Sequence, residues 1–283
     1  MTLPEEHGSC ENEFHQKKFI ERVYSGKVRP FCRIGIAFAG LLLWFMVQGI
    51  LSLSLGFIEN DILNISVAGF LALAILLPLW RLVPGVTPIS GADNSSIVAA
   101  VTFILFCPFL VIPFFTGLEY IGFNFGWFQF AMALLLLAAN EEVICRGFIL
   151  DALSFKGKRI VGLLFSSVVF AYLHISNDCA SVTGILNIFL VGVLFGLIRF
   201  LSNGLVYPIL IHWLWNLITG MVFGWSVSGH TMLPSLFRPV LRPPWGGFGP
   251  EESILMTIAI ACCLVVIWRK VFLSGNRSLI SVR

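Results

Sequence analysis

Eight long apolar stretches run along this chain, at residues 34–57, 62–83, 97–121, 128–153, 160–175, 182–200, 205–223 and 253–272. A helix needs about 20 mostly apolar residues to cross the hydrocarbon core of a bilayer. All but the fifth stretch approach that length; the fifth is short and holds polar residues. No internal repeat and no separate soluble module is evident. The pattern predicts an all-α fold, a polytopic membrane bundle of about eight transmembrane helices. Residues 1–32 and 274–283 form polar tails around a bundle at 33–273.

Composition turns this pattern toward lipid. Of 283 residues, 58% are hydrophobic and 12% are charged, against about 25% charged in a soluble globular protein. The mean hydropathy is +0.92. So little polar cover cannot hide that much apolar surface from water, whereas in a bilayer each span need only satisfy its own backbone. The polar start lacks the apolar core and cleavage site of a signal peptide, and reads as a cytosolic tail. Seven cysteines are scattered with no CxxC pair, so no disulfide framework or zinc knuckle is expected. The net charge of +3 gives no sign of a nucleic-acid partner.

The distribution of charge tests the span count. With the N-terminus inside, alternation over eight spans puts Lys17, Lys18, Arg22, Lys27, Arg29, Arg33, Arg81, Lys156, Lys158, Arg159, Arg199, Arg269, Lys270, Arg277 and Arg283 on the cytoplasmic side. Arg238 and Arg242 fall outside, and Arg146 lies within a span. Such a bias is the positive-inside rule, and it places both termini in the cytoplasm.

Ionisable side chains inside spans cost about 2.5–3.5 kcal/mol each on insertion scales, which makes them functional candidates. The fourth span holds Glu141, Glu142 and Arg146; the fifth ends in His174; the seventh holds His212 and Asn216. Glu142 and Arg146 are four apart and share a helical face, as an ion pair would. Glu141 is turned by about 100° from Glu142 and can face another surface. His212 and Asn216 present to one side. Spans four and five form a hairpin centred on Gly157, with Glu141 16 residues before the centre and His174 17 after it. They are expected to meet at one height.

A carboxylate, two imidazoles and an amide in a dry cavity suit hydrolysis of an amide bond. Glu141 with His174 can activate water, and His212 with Asn216 can donate to the developing oxyanion. Glu142 and Arg146 support them. Glu141, His174 and His212 also make a ligand set of the catalytic zinc type. Zinc therefore stays open as a cofactor, although the helical HExxH spacing is absent.

Three motifs follow in order: Glu-Glu-x-x-x-Arg at Glu141, Glu142 and Arg146; Phe-x-x-x-His at Phe170 and His174; and His-x-x-x-Asn at His212 and Asn216. The set resembles the CPBP family, which includes type II CAAX prenyl endopeptidases and bacteriocin-related processing and self-immunity proteins. The resemblance covers roughly residues 131–220, within a core at about 128–223, and Gly246 to Glu251 is similar to a loop before the last span of many members. It implies an intramembrane endopeptidase of eight spans with Glu141, His174, His212 and Asn216 as its active site. The family is described both as metalloproteases and as metal-independent glutamate proteases. The implied partners are a membrane-associated peptide or protein, prenylated or otherwise lipid-anchored, and the bilayer itself; the implied location is a bacterial plasma membrane.

Plainer readings accompany these. Glu142–Arg146 also reads as a structural ion pair, Asn216 as interhelical glue, Trp213 and Trp215 as packing residues, and buried Cys145 as inert. The segment 229–252 reads as a lid or a linker. A catalytically silent immunity or scaffold protein is the alternative function. A proton relay is a third, disfavoured because spans one to three and eight are nearly devoid of polar interiors.

Overall fold

The computed structural model describes residues 30–56, 58, 61–80, 94–154, 159–231 and 234–273. Among these, eight long helices follow the eight apolar stretches. They are α1 (Pro30–Ser54), α2 (Asp61–Trp80), α3 (Ser95–Thr116), α4 (Gly126–Glu142), α5 (Arg159–Tyr172), α6 (Val182–Ser202), α7 (Val206–Asn216) and α8 (Ile254–Leu273). Two of them do not end in coil. After Glu142, α4 continues as a π-helical segment, Val143–Ile149, and one last α turn, Leu150–Leu153. After Asn216, α7 continues as a second π segment, Leu217–Val222. Such wider turns are rare and gather at functional sites.

By length and composition, two helices among the described residues are suited to crossing a membrane, α3 and α6, with mean hydropathies of 2.6 and 2.2. α5 and α7, and parts of α1 and α2, make shorter apolar helices. The eight-span expectation thus meets eight helices, two of clear spanning character. α4 and α7 carry the polar residues and change pitch partway, which shortens their regular apolar runs. The terminal tails and the hairpin tip at 155–158, with Lys156, Gly157 and Lys158, lie outside the described residues.

Helix packing runs α1 on α2, α2 on α4, and α4 on α7. α5 and α6 form the closest pair, and α8 lies against both α6 and α3. Small residues permit the α5–α6 approach: a Cβ at Gly192 would sit 3.0 Å from the Ser167 Cα, the close backbone contact that glycine and serine allow between membrane helices. The core between these helices includes Leu134, Ile144, Ile149, Leu194 and Ile260. Phe103, Phe114, Phe115, Val182 and Ile254 are exposed on the outer surface, an apolar exterior of the kind a bilayer covers.

The fold departs from purely helical in four short strands. The third apolar stretch was expected to stay helical to residue 121. Instead Gly117 adopts φ 66° and ends α3, and Leu118–Tyr120 (β1) pairs antiparallel with Phe237–Pro239 (β4). Two prolines in α3, Pro108 and Pro113, also weaken its last turns by removing hydrogen-bond donors. Ser226–Val227 (β2) pairs with His230–Thr231 (β3) through the two-residue turn Ser228–Gly229. Both turn residues have positive φ, 47° and 88°, the arrangement that suits a tight hairpin. A side chain at Gly229 would collide with the Asp178 carbonyl, and Asn177 Nδ2 donates to the Ser228 carbonyl at 2.9 Å. The hairpin is therefore docked on the turn that follows His174. Trp225 and Phe248 are buried, and Trp225 packs edge-on against Trp245. Within the segment expected as a lid or linker, the described residues supply β3 and β4 and pack through Trp245 and Phe248.

Candidate active site

Glu141 and Glu142 end α4 side by side and point into different surroundings. Glu142 is fully buried, as is Arg146, and Arg146 Nη1 donates to Glu142 Oε1 at 2.8 Å. The pair spans the start of the π segment and keeps the contact expected from its four-residue spacing. The guanidinium lies 4.1 Å from the Phe170 ring centroid and 5.5 Å from that of Phe195. Its Nη2 donates to the Gly192 carbonyl at 3.3 Å. A charge this deep is tolerable only when paired, hydrogen-bonded and stacked in this way.

The same Glu142 oxygen also meets His212 Nδ1 at 3.1 Å. A carboxylate oxygen that already takes an Arg146 hydrogen bond accepts here as well, so Nδ1 carries the hydrogen. Nε2 is left on the other edge of the ring, 3.8 Å from Glu141 Oε2. His212 thus stands between the two glutamates, held by one and facing the other. This bridge joins residues 70 apart, and helical spacing gave no sign of it.

His174 follows α5 in a turn. Its Nδ1 lies 2.7 Å from the Phe170 carbonyl. A carbonyl only accepts, so this ring also carries its hydrogen on Nδ1 and leaves Nε2 with a lone pair. Both histidines pack on Phe170, with ring centroids at 4.9 Å for His174 and 5.8 Å for His212. Phe170, singled out only as part of a motif, is the spacer that sets the two rings.

In front of these residues lies a cavity of about 570 Å³ that takes Glu141, His174, His212 and Asn216 into its wall. The four sequence candidates are brought together here. Glu141 Oε2 is buried with no hydrogen-bond partner among the described residues. Trp44, Gln48 and Asn64, from α1 and α2, line the same space. Trp44 Nε1 donates to Asn140 Oδ1 at 3.1 Å, tying α1 to the residue before Glu141. His230, at the start of β3, also lines it.

A second, smaller cavity of about 30 Å³ lies against His174, His212 and Asn216 as well, and its wall includes Trp215 and Glu251. Glu251 is buried in the 3₁₀ turn Pro250–Glu252 ahead of α8. Its Oε1 accepts from Trp215 Nε1 at 2.8 Å. Burial pushes its carboxyl up to about 7, against the opposing pull of the Trp215 hydrogen bond. Sequence reading took Trp215 for packing and saw in Glu251 only part of a loop. An acidic residue directly after Gly-Pro, in a loop otherwise poor in charge, was the available signal.

The zinc reading needs three converging ligands. Among the described residues, no group of three or more His, Cys, Asp or Glu side chains is placed to hold a metal ion. Glu142 accepts from His212 Nδ1, and Glu141 stands 3.8 Å from Nε2. The donor set as arranged does not fit a metal. Buried Cys145 lies beside the charged pair, on the π segment.

Residues 122–218, about a third of the chain, match the family model described as type II CAAX prenyl endopeptidase Rce1-like. That range holds all six polar residues and nearly coincides with the motif region at 131–220. No curated protein and no solved structure matches the chain.

Proposed function

With an Rce1-like type II CAAX prenyl endopeptidase domain at residues 122–218, a family of membrane-embedded proteases, we propose that this protein is a multi-pass intramembrane endopeptidase. It hydrolyses a peptide bond of a membrane-associated, lipid-anchored protein or peptide. The observation that carries this reading is the unpartnered Glu141 carboxyl oxygen facing His212 Nε2 at 3.8 Å, in a cavity that also holds His174 and Asn216.

In this reading a water taken up between Glu141 and His174 Nε2 loses its proton to the Glu141 carboxylate as its oxygen attacks the scissile carbonyl. His174, locked by the Phe170 carbonyl, offers Nε2 as acceptor and keeps the water in line. His212, held at Nδ1 by Glu142, donates from Nε2 to the developing oxyanion when protonated, and Asn216 adds its amide N–H. Preorganised donors of this kind are the largest single aid to acyl transfer. The proton on Glu141 then passes to the departing amine. Glu142 and Arg146 take no part in bond making; they fix the His212 ring. The size of the cavity, about 570 Å³, is within the usual range for enclosed ligand sites.

The test is cleavage of a prenylated CAAX-type peptide by the purified full chain in lipid nanodiscs, with and without chelator. Cleavage by wild type and none by E141A or H174A, each still folded, supports the reading. Equal cleavage by those variants overturns it. Loss on chelation, restored by added zinc, replaces the carboxylate mechanism with a metal-centred one. A folded wild type that cleaves nothing points to the silent scaffold.

A further inference from the structure

We infer that Glu251 is a positioning residue of the hydrolytic site, holding the His212–Asn216 turn of α7 through Trp215 and presenting its second carboxyl oxygen to a water-sized chamber behind the two histidines. This rests on the peptidase reading above. Glu251 lies outside the matched stretch 122–218 and reaches the site only through the fold.

Two adjacent glutamates in this turn do different things. Glu252 Oε1 accepts from the Phe248 backbone N–H at 3.1 Å, a local bond that closes the loop on itself. Glu251 turns inward and is 2% exposed. Its Oε1 takes the Trp215 indole hydrogen. Trp215 sits one residue before Asn216 and three after His212, so this bond fixes the helical turn that carries both. The position of Glu251 is itself fixed. Asn187 Nδ2 donates to the Glu251 and Ser253 carbonyls at 2.7 and 3.0 Å, and Thr257 Oγ1 holds the Asn187 side chain at 2.8 Å.

Anchoring the loop accounts for the backbone bonds and for Oε1. The backbone N–H groups of Ser228 and Glu251 also face the carboxyl, yet Oε2 is buried and makes no hydrogen bond of good geometry among the described residues. Such an atom is unfavourable in the interior unless something satisfies it. The adjoining cavity of about 30 Å³ has room for a water, which needs about 10–15 Å³ and at least two polar partners. Partners are at hand: His174, His212, Asn216 and Ser228 line both this chamber and the larger cavity, so they form the partition between the two. A water bonded to Glu251 Oε2 steadies that partition from behind, on the face that substrate does not touch.

The experiment compares wild type, E251A and E251Q as full chains in detergent micelles. It combines peptide-cleavage kinetics with ¹⁵N resonances of the histidine rings, assigned by H174N and H212N. Gln keeps the volume, the acceptor for Trp215 and a polar group toward the chamber. Expected for E251A is a kcat lower by about tenfold or more with KM within about twofold, the signature of a misplaced rather than unbound site. The His212 ring resonances shift with it. E251Q stays folded and recovers both readouts most of the way. Wild-type kcat in folded E251A, or unchanged histidine resonances, overturns the inference. If wild type cleaves nothing, the peptidase reading falls, and the resonances alone decide the role of Glu251. If E251A does not fold, E251Q decides: a kcat as low as that of H174A overturns the positioning role.

Discussion

On one side of the end of α4, Glu142, Arg146 and His212 form a closed network with almost no exposure; on the other, one residue away, Glu141 faces a cavity with a carboxyl oxygen that nothing holds. The chemical groups are the same, carboxylates against an imidazole. The closed side engages Glu142 Oε1 with both Arg146 and His212, although Glu142 Oε2 and Arg146 Nε lack a hydrogen bond among the described residues, and it leaves only His212 Nε2 turned toward substrate. The open side leaves capacity in place, which is a cost to stability and the condition for chemistry. The difference teaches that the Glu-Glu pair is a division of labour, with one member fixing a ring and the other left reactive.

The largest effect that separates the two sides is on turnover. E141Q is expected to lower kcat by about 10²–10⁴-fold, the usual contribution of a general base, with an unchanged melting temperature. Single-turnover cleavage and a thermal melt check both; a lower melting temperature would make Glu141 structural like its neighbour. Next is stability on the closed side. R146M leaves the Glu142 charge buried and is expected to cost about 3–5 kcal/mol, whereas E142Q/R146M removes both charges and costs less. Denaturant or thermal unfolding in micelles ranks the two, and equal losses would break the comparison.

A smaller effect belongs to Glu251. Its carboxyl titrates near 7 in the fold against 4.5 ordinarily, so folding favours the protonated form. That contribution is complete below about 4.5 and is lost as pH rises through about 7. The melting temperature of wild type, relative to E251Q, should therefore decline between those limits; a flat difference would sink the assignment. The smallest effect is at the exposed Arg238–Glu119 pair that links β4 to β1 at 2.8 Å. R238A is expected to change stability by about 0–1 kcal/mol, a baseline for the buried pair.

Much of this was legible in the chain, for local reasons. The helices follow uninterrupted apolar runs, and Glu142–Arg146 follows from spacing along one helix. The opposed aims of Glu141 and Glu142 follow from 3.6 residues per turn. What was hidden depends on distant parts meeting. The Glu142–His212 bond joins two helices, and Trp215–Glu251 joins a helix to a loop 36 residues on. The π segments were also hidden, because a wider turn leaves the apolar pattern intact. β1 was absorbed into an apolar run that gave no reason to stop at Gly117. The tip of the expected hairpin, 155–158, lies outside the described residues, and Glu141 and His174 line one cavity.

Part of the wall of the large cavity is built from Trp44, Phe45, Gln48 and Ser52 of α1 and Asn64 and Ile65 of α2. None of these lies in the matched stretch, which starts at residue 122. The first two helices can therefore change the shape of this cavity without touching any of the six polar residues at 141–216.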